Sequence, residues 1–351
     1  MRWGKLLRLK VVSLSIFTAL TVLWWGHLAL SFTSLRWLAQ RQDLYIGTAV
    51  QFRPLQRQPM YRQVLAREFN MVTPENAMKF EVVHPERDRY DFTQADAIVQ
   101  FASDRDLQVR GHTLVWHRQL PSWLTEGEFT PEELKAILRD HIYTVVGHFR
   151  DRVSAWDVVN EAFNDDGTLR DTIWLRGIGE EYLELAFRWA READPTARLF
   201  YNNYGGEMAG KKADATYEFI QKLEDRGVPI DGVGLQMHVG LNNVPTAAAV
   251  ADNMRRFDEL GLEVQITEMD VQIQNGTGTE SERLQAQAEI YGEMLRVCQV
   301  EPNCNTLVMW GFTDAHSWIP SFTGNDDAPL IFDESYRPKP AYYELLEVLS
   351  R

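Results

Sequence analysis

The sequence lacks the short motifs that zinc, calcium and nucleotide sites need. It contains only two cysteines, Cys298 and Cys304, with no histidine close to them, so a four-ligand zinc site is not expected. The acidic run at residues 325–327 is too short and too poor in further oxygen ligands for a calcium loop. No glycine-rich phosphate-binding turn follows the first predicted strand. We therefore expect neither a metal ion nor an organic cofactor.

Acidic residues are absent from the beginning of the chain, and the first one is Asp43. The whole chain has a formal net charge of −14. Residues 41–351 hold 31 basic and 50 acidic residues, a net charge of −19, because residues 1–40 contain five basic residues: Arg2, Lys5, Arg8, Lys10 and Arg36. A body this acidic is not expected to bind nucleic acid, whereas neutral polymers are compatible with it.

The first 40 residues have the layout of an export signal. Four basic residues precede a stretch at 11–32 that is apolar apart from scattered serine, threonine and His27. The stretch is long for a cleaved signal and nearly long enough to span a bilayer, and residues 29–31 offer only a passable cleavage site. We expect residues 1–40 to be a signal peptide or signal anchor. The protein is then exported, either secreted or periplasmic, or held at the membrane through residues 11–32.

From residue 41 onward, apolar segments alternate with amphipathic helical patterns. Eight strands are predicted, at Leu44–Val50, Phe69–Thr73, Gln108–Leu114, Val153–Asn160, Arg198–Asn202, Gly232–Gln236, Glu263–Thr267 and Thr306–Trp310. Helices are predicted at Thr93–Asp104, Pro131–Phe149, Glu180–Ala193, Lys212–Arg226, Ala247–Leu260, Glu282–Val300 and Tyr342–Leu349. This alternation predicts an α/β fold, a (β/α)8 TIM barrel that fills residues 41–351 as one domain. A doubly wound sheet is the rival architecture.

Two of the predicted strands run into a glutamate. Glu161 follows the fourth strand and Glu268 follows the seventh. Each glutamate alone is compatible with a turn or a helix cap, but barrels of this type place their functional residues at the C-terminal ends of the strands. Two opposed carboxyl groups are what glycoside hydrolysis requires. Their separation in sequence does not give their distance in space, so the stereochemistry stays open at this point.

Seven short motifs, in unbroken order from about Asp43 to the C-terminus, closely resemble the family 10 glycoside hydrolases, the endo-β-1,4-xylanases. They are Glu75–Lys79, Gly111–His117, Trp156–Phe163, Gln236–His238, Ile266–Asp270, Trp310–Asp314 with Ser317-Trp318, and Lys339–Tyr342. The resemblance implies an enzyme that hydrolyses β-1,4-xylosidic linkages within xylan or xylo-oligosaccharides by a retaining double displacement. We expect the chain to work as a monomer.

The resemblance assigns roles at the centre of the site. Glu161 matches the family's general acid/base, and Glu268 matches its nucleophile. His238 matches the histidine that donates to the nucleophile, and Asp270 matches the acid that orients that ring. Asn160 matches the amide that bonds the sugar 2-hydroxyl. Without the motif, the better interpretation of His238 is a satisfied histidine of the core.

Ten further residues match substrate contacts of the family. They are Glu75, Asn76, Lys79, His112, Trp116 and Gln119 on the non-reducing side, Tyr204 and Gln236, and the aromatic walls Trp310 and Trp318. Aromatic faces suit sugars because the axial C–H groups of a pyranose form an apolar surface. For Trp116, packing in the core is an equal alternative.

The chain departs from the family pattern at three positions that the resemblance places on the leaving-group side. Asn203 stands where an aspartate is usual, Gly205 where an asparagine is usual, and Ile319 where an arginine is common. We therefore expect weak sugar binding on that side of the cleft.

Cys298 and Cys304 occupy a region in which exported members of the family often carry a disulfide. An even pair in an exported chain supports a bridge, and two buried free thiols are the alternative. Two other functions stay open: a barrel glycosidase that acts on another β-1,4-glycan such as cellulose, and a polysaccharide-binding barrel without activity.

Overall fold

A closed parallel sheet forms the centre of the protein, whose computed structural model describes residues 34–351. Its strands are β1 Tyr45–Val50, β2 Met71–Pro74, β3 Gln108–Val115, β4 Ala155–Asn160, β5 Arg198–Asn203, β6 Gly232–Leu235, β7 His238–Gly240, β8 Glu263–Gln272 and β9 Thr306–Met309. They pair in the order β6-β5-β4-β3-β2-β1-β9-β8, and pairing of β6 with β8 closes the ring. The short strand β7 pairs with the end of β8. The predicted (β/α)8 barrel is confirmed.

The barrel strands form where the sequence predicted them because both of their faces are covered. Strands β2, β4 and β6 consist entirely of buried residues, as in a parallel sheet lined by side chains inside and by helices outside. The signal or anchor segment at residues 11–32 lies outside the described residues. Within residues 34–351, no helix combines the length and the apolar character needed to cross a bilayer.

Helices surround the barrel and fill its loops. They are α1 Leu35–Gln40, α2 Phe52–Arg57, α3 Pro59–Glu68, α4 Phe80–Val83, α5 Thr93–Ser103, α6 Ser122–Thr125, α7 Pro131–His148, α8 Ile173–Ile178, α9 Glu181–Ala193, α10 Lys211–Asp225, α11 Ala247–Asp258, α12 Glu280–Val300, α13 Ile319–Thr323 and α14 Pro340–Ser350, with a 3-10 turn at Asp314–His316. All seven predicted helices are present. Helix α7 begins with a capping box in which Thr130 and Glu133 bond each other's backbone.

The helices that the sequence did not predict are mostly too short to show a period. Six of them span only four to six residues, less than two turns. Helix α3 is the exception, since Tyr61, Val64 and Leu65 are buried at helical spacing after a proline at the first position.

Helix α1 belongs to the folded body. Ser34 caps it by accepting a hydrogen bond from the Trp37 amide at 3.2 Å, and Leu35 and Ala39 are fully buried. The Leu35 amide donates to Glu68 at 3.1 Å, at the end of α3 just before β2. The folded body therefore includes residues 34–40, which the sequence analysis assigned to the signal or anchor segment. Because Glu68 precedes a strand, α1 lies at the N-terminal ends of the strands.

The two cysteines meet where α12 leads into β9. Cys298 lies in the last turn of α12, and Cys304 lies just before β9. Both are buried and joined in a disulfide in the structure. The bridge lies at the N-terminal end of β9, remote from the C-terminal ends of the strands.

Candidate active site

A cleft of about 690 Å³ opens at the C-terminal ends of the barrel strands. Of the fifteen residues that the sequence predicted for the site, fourteen line it: Glu75, Asn76, Lys79, His112, Trp116, Gln119, Asn160, Glu161, Tyr204, Gln236, His238, Glu268, Trp310 and Trp318. The fifteenth, Asp270, is fully buried behind His238. The fold brings together residues from nearly every strand because parallel strands all end at the same face.

Glu268 lies within β8 and has donors on both carboxylate oxygens. Asn202 Nδ2 donates to Oε1 at 2.6 Å, and His238 Nε2 lies 3.2 Å from Oε2. His112 Nδ1 is 3.8 Å from Oε1. Burial alone raises the pKa of the Glu268 carboxyl, but the neighbouring His112 and the hydrogen bond from His238 outweigh it, and the net pKa is lowered. Glu268 is therefore held as an anion.

His238 connects Glu268 to a buried acid. Its Nδ1 lies 2.9 Å from Asp270 Oδ2, which also accepts from Trp318 Nε1 at 2.8 Å. Burial lowers the pKa of the His238 imidazole, but Asp270 and Glu268 raise it by more than burial lowers it. The net pKa therefore lies well above its usual value. A protonated ring donates from both nitrogens, one to each carboxylate.

His112 is fixed from below by a buried ion pair inside the barrel. Asp157 on β4 accepts from Arg110 on β3 through both carboxylate oxygens, and its Oδ2 lies 2.9 Å from His112 Nδ1. Burial raises the pKa of the Asp157 carboxyl, but Arg110 and His112 together outweigh it and the net pKa is lowered, so this carboxyl also stays ionised. The arrangement orients the imidazole toward Glu268.

Glu161 is held differently, through its backbone and by neutral donors. It follows β4 with a left-handed φ of 57°, a conformation that costs an ordinary residue about 1–2 kcal/mol. Its amide donates to the Asn202 carbonyl at 2.9 Å. The carboxylate accepts from Trp116 Nε1 at 3.0 Å and from Gln236 Nε2 at 3.1 Å. Trp116 therefore belongs to the cleft and not to the core.

A layer of three amides connects the two carboxylates. Asn202 Nδ2 donates to Asn160 Oδ1 at 2.8 Å as well as to Glu268. Gln236 Nε2 donates to the same Asn160 oxygen at 3.2 Å and to Glu161. The sequence prediction missed Asn202. The available signal was its position at the end of β5, paired in register with Asn160 at the end of β4.

The side of the cleft formed by β2 and β3 is a continuous hydrogen-bonding wall. Lys79 Nζ donates to Asn76 Oδ1 at 3.1 Å, and Gln119 Nε2 donates to the same oxygen at 3.2 Å. Asn76 Nδ2 donates to Glu75 at 3.1 Å. Burial raises the pKa of Glu75 and lowers that of Lys79. Polar groups organised in this way can bind several hydroxyls at once.

Two of the three departures from the family pattern lie outside the cleft. Ile319 is fully buried as the first residue of α13, and Asn203 is buried because successive residues of a strand point to opposite faces. Neither side chain lines the cleft, and weak sugar binding on the leaving-group side stays a prediction. Gly205 is exposed in the loop after β5, with a φ of 65°. It directly follows Tyr204, which lines the cleft.

Five residues of the cleft were not predicted: His117, Arg118, Arg170, Gln272 and Phe322. Burial and the nearby Arg170 lower the pKa of His117 to about 4, although Glu161 opposes them. The ring is thus neutral at neutral pH. Phe322 is an exposed aromatic whose ring lies 4.9 Å from that of Trp318. Gln272 is the last residue of β8, and His117 and Arg118 closely follow β3, whereas Arg170 and Phe322 lie far beyond the strands that precede them, where the sequence carries no period.

The arrangement can perform acid, base and nucleophilic chemistry without further groups. Within residues 34–351, no set of three or more histidine, cysteine, aspartate or glutamate side chains is placed to hold a metal ion. One carboxylate is fixed as an anion, the other accepts from uncharged donors, and amides lie between them. A pair of carboxyl groups with these surroundings can split a glycosidic bond.

Comparison with known proteins agrees with this geometry. Residues 34–348 match Glycosyl hydrolase family 10. Endo-1,4-beta-xylanase B of Thermotoga neapolitana is 47% identical over 317 residues, which are 90% of this chain and 91% of that protein. The structure of native xylanase 10B from Thermotoga maritima has a TM-score of 0.87 at 48% identity and covers 90% of this chain and 98% of its own. Xylanase 10B from Thermotoga petrophila RKU-1, solved in complex with xylobiose, has a TM-score of 0.88 at 47% identity and covers 90% and 97%.

Proposed function

Because the chain belongs to glycosyl hydrolase family 10, we propose that Glu161 and Glu268 are the acid/base and the nucleophile of its reaction. The protein is an endo-1,4-β-xylanase that hydrolyses β-1,4-xylosidic linkages in xylan with retention of configuration. Xylo-oligosaccharides bind in the cleft at the C-terminal ends of the strands. The assignment of roles to the individual side chains follows from their surroundings.

In the first step, the Glu268 carboxylate attacks the anomeric carbon as the glycosidic C–O bond breaks. Glu161 gives its proton to the departing oxygen, and a covalent xylosyl-enzyme results. In the second step, Glu161 removes a proton from water, whose oxygen attacks the same carbon and releases Glu268. Two inversions give net retention. Asn160 is placed beside both carboxylates, where its amide can bond the 2-hydroxyl of the sugar.

The contact between His238 and Glu268 carries the assignment of the nucleophile. A nucleophile must be ionised when the substrate arrives, and a protonated imidazole at 3.2 Å stabilises that charge. Glu161 accepts from an indole and an amide, which are neutral donors. It can therefore be protonated in one step and ionised in the next.

Azide rescue tests the two roles directly. With an activated aryl xylobioside, Glu161→Ala should still form the covalent intermediate, which azide then attacks to give a β-glycosyl azide. Glu268→Ala should form no intermediate, so azide attacks from the vacated side and gives the α-glycosyl azide. The anomeric configuration is read by nuclear magnetic resonance. An α product from Glu161→Ala would exchange the two roles.

We also propose that the protein is exported and that Cys298 and Cys304 form a disulfide in the exported form. The basic head with its apolar stretch supports export, and the pairing of two buried cysteines supports the bridge. When the full-length chain is expressed, cell fractionation should recover the protein outside the cytoplasm. When a chain lacking residues 2–32 is expressed, the protein should remain in the cytoplasm. Thiol titration of the exported, denatured and unreduced protein should find no free thiol. Two free thiols would contradict the bridge.

The cleft is built from one chain, which supports a monomer as the working unit. All fourteen predicted lining residues come from the same barrel. Sedimentation equilibrium of the body at residues 34–351 should give the mass of one chain, with activity independent of protein concentration. A dimer whose dissociation abolishes activity would contradict this proposal.

A further inference from the structure

Tyr204, which lines the cleft beside Glu161, is held by two cationic side chains. Arg170 Nη2 donates to its hydroxyl at 3.2 Å, and Arg170 Nε donates to the Glu161 carbonyl at 3.1 Å. On the ring itself, the Lys212 ammonium lies 3.3 Å from the centroid. The ring is thus fixed both at its edge and on one face.

Lys212 is an unusual lysine because it is buried. It lies in the first turn of α10, its residue is only 2% exposed, and it does not line the cleft. Removing an ammonium from water is costly unless other groups compensate. Its compensating contacts are the Tyr204 ring and Asp165, whose Oδ1 lies 3.2 Å from Nζ. Asp165 follows β4 and Tyr204 follows β5, so one ammonium connects the two loops that flank Glu161.

The position of Lys212 leaves one face of Tyr204 for a ligand. A cation attracted to a ring occupies one face of its π system, and here the cation comes from Lys212, which does not line the cleft, whereas Tyr204 does. Sugars stack on the opposite kind of surface, an uncovered aromatic face. The neighbouring residue, Gly205, has no side chain that could share the contact. The orientation of Tyr204 therefore determines most of what this part of the cleft can offer a sugar.

We propose that Lys212 is a positioning residue for the leaving-group side of the cleft, and that its ammonium holds Tyr204 in the orientation that stacks on the departing xylose units. This inference rests on the proposed function, since it takes the side next to the acid/base Glu161 as the leaving-group side. Lys212 acts through Tyr204 and does not contact the substrate.

The test compares Lys212→Met with Lys211→Met. Methionine keeps an unbranched side chain of similar length but removes the charge, and Lys211 is the adjacent, exposed lysine. With xylopentaose, Lys212→Met should raise KM by about threefold to tenfold with little change in kcat, as expected for loss of a desolvated cation–π contact. With an aryl xylobioside, whose aryl group asks little of that side, its kinetics should not change. Lys211→Met should leave both substrates unaffected.

A double-mutant cycle with Tyr204→Ala shows whether the effect passes through the ring. In the Tyr204→Ala background, Lys212→Met should add nothing to the KM for xylopentaose. Lys212→Arg should restore part of the wild-type KM, because a guanidinium also binds to an aromatic face. If Lys212→Met folds poorly in a melting curve, Lys212→Gln gives the same comparison. The proposal is overturned if the effect persists without Tyr204, or if both substrates suffer equally.

The proposed function can fail separately. If the wild-type enzyme leaves xylopentaose and xylan uncut, the assignment of the reaction is wrong. If it cleaves both while Lys212→Met matches the wild type in a background that keeps Tyr204, only the role of Lys212 is wrong.

Discussion

The two carboxylates of the cleft are immobilised in opposite ways. Glu268 is fixed through its side chain, by Asn202 and by the protonated ring of His238, while its backbone stays within β8. Glu161 is fixed through a left-handed backbone at the end of β4, and its side chain accepts only from the neutral groups of Trp116 and Gln236 and its neighbour Asn160 among the described residues. Glu268, which must stay ionised, lies beside the protonated imidazole of His238. Glu161, which must gain and lose a proton, is positioned by its backbone conformation.

Removing each carboxylate in turn should give the largest effect and the clearest contrast. Glu268→Ala should lower kcat on every substrate by about 10⁴- to 10⁶-fold, as when other catalytic nucleophiles are deleted. Glu161→Ala should be as damaging on xylan, but on an aryl xyloside with a good leaving group it should spare the first step. A burst of aryl alcohol followed by slow turnover would show this. Equal losses in the burst phase for both variants would break the contrast.

Deleting the amide that holds Glu268 should have the next largest effect. Asn202→Leu removes the donors to Glu268 and Asn160, and kcat should fall by about 10- to 100-fold, in the lower range for loss of one preorganised donor. Asn203→Leu is the matched control, because its buried amide has no hydrogen-bond partner among the described residues and does not line the cleft. Its kcat per folded molecule should match the wild type. An equal loss of kcat in Asn203→Leu would mean that the effect comes from disturbing the end of β5 and not from the Asn202 amide.

Removing the charge near Glu268 should shift the pH profile. Glu268 must be ionised to attack, so kcat/KM falls as pH drops through its pKa. His238 lowers that pKa, so His238→Asn should move the acid limb of kcat/KM to higher pH. The measurement is a pH profile with an aryl xylobioside. Trp318→Phe, which loses only the bond to Asp270, should move the limb less. A shift confined to the alkaline limb would contradict the charge assigned to the ring.

The smallest effect should come from the loop that carries Tyr204. Asparagine tolerates a left-handed φ better than most residues, and a Cβ at Gly205 would lie 3.8 Å from the Lys212 side chain, an ordinary contact. Gly205→Asn should therefore fold, and it should improve KM for xylopentaose by about twofold to fivefold through one added hydrogen bond. Aryl xylobioside kinetics should not change. Gly205→Ala reports the backbone strain alone, and an equal gain there would exclude the amide as the cause.

The sequence was most informative where position in the barrel dictates function. All eight barrel strands were predicted correctly and both glutamates line the cleft, since buried parallel strands appear as apolar runs and their ends meet at one face, although Glu268 lies within β8 and not after it. Asn202 was missed because an amide at the end of a strand resembles a turn residue until its partner in space is known. Ile319 was expected beside the cleft because it follows Trp318 in the chain, but it does not line the cleft. Adjacency to Trp318 in the chain says nothing about direction, and the start of α13 turns that side chain into the core.

The position of α1 decides how the enzyme can be attached to anything else. Leu35 lies against the end of α3, at the N-terminal ends of the barrel strands. Gln42 donates to the Leu349 carbonyl at 2.7 Å, so the end of the last helix lies at the same side of the barrel. The cleft opens at the opposite side, at the C-terminal ends of the strands. A bead, a cell surface or a second domain joined at either end of the body would therefore stand behind the enzyme, and the mouth would face outward toward an insoluble polymer.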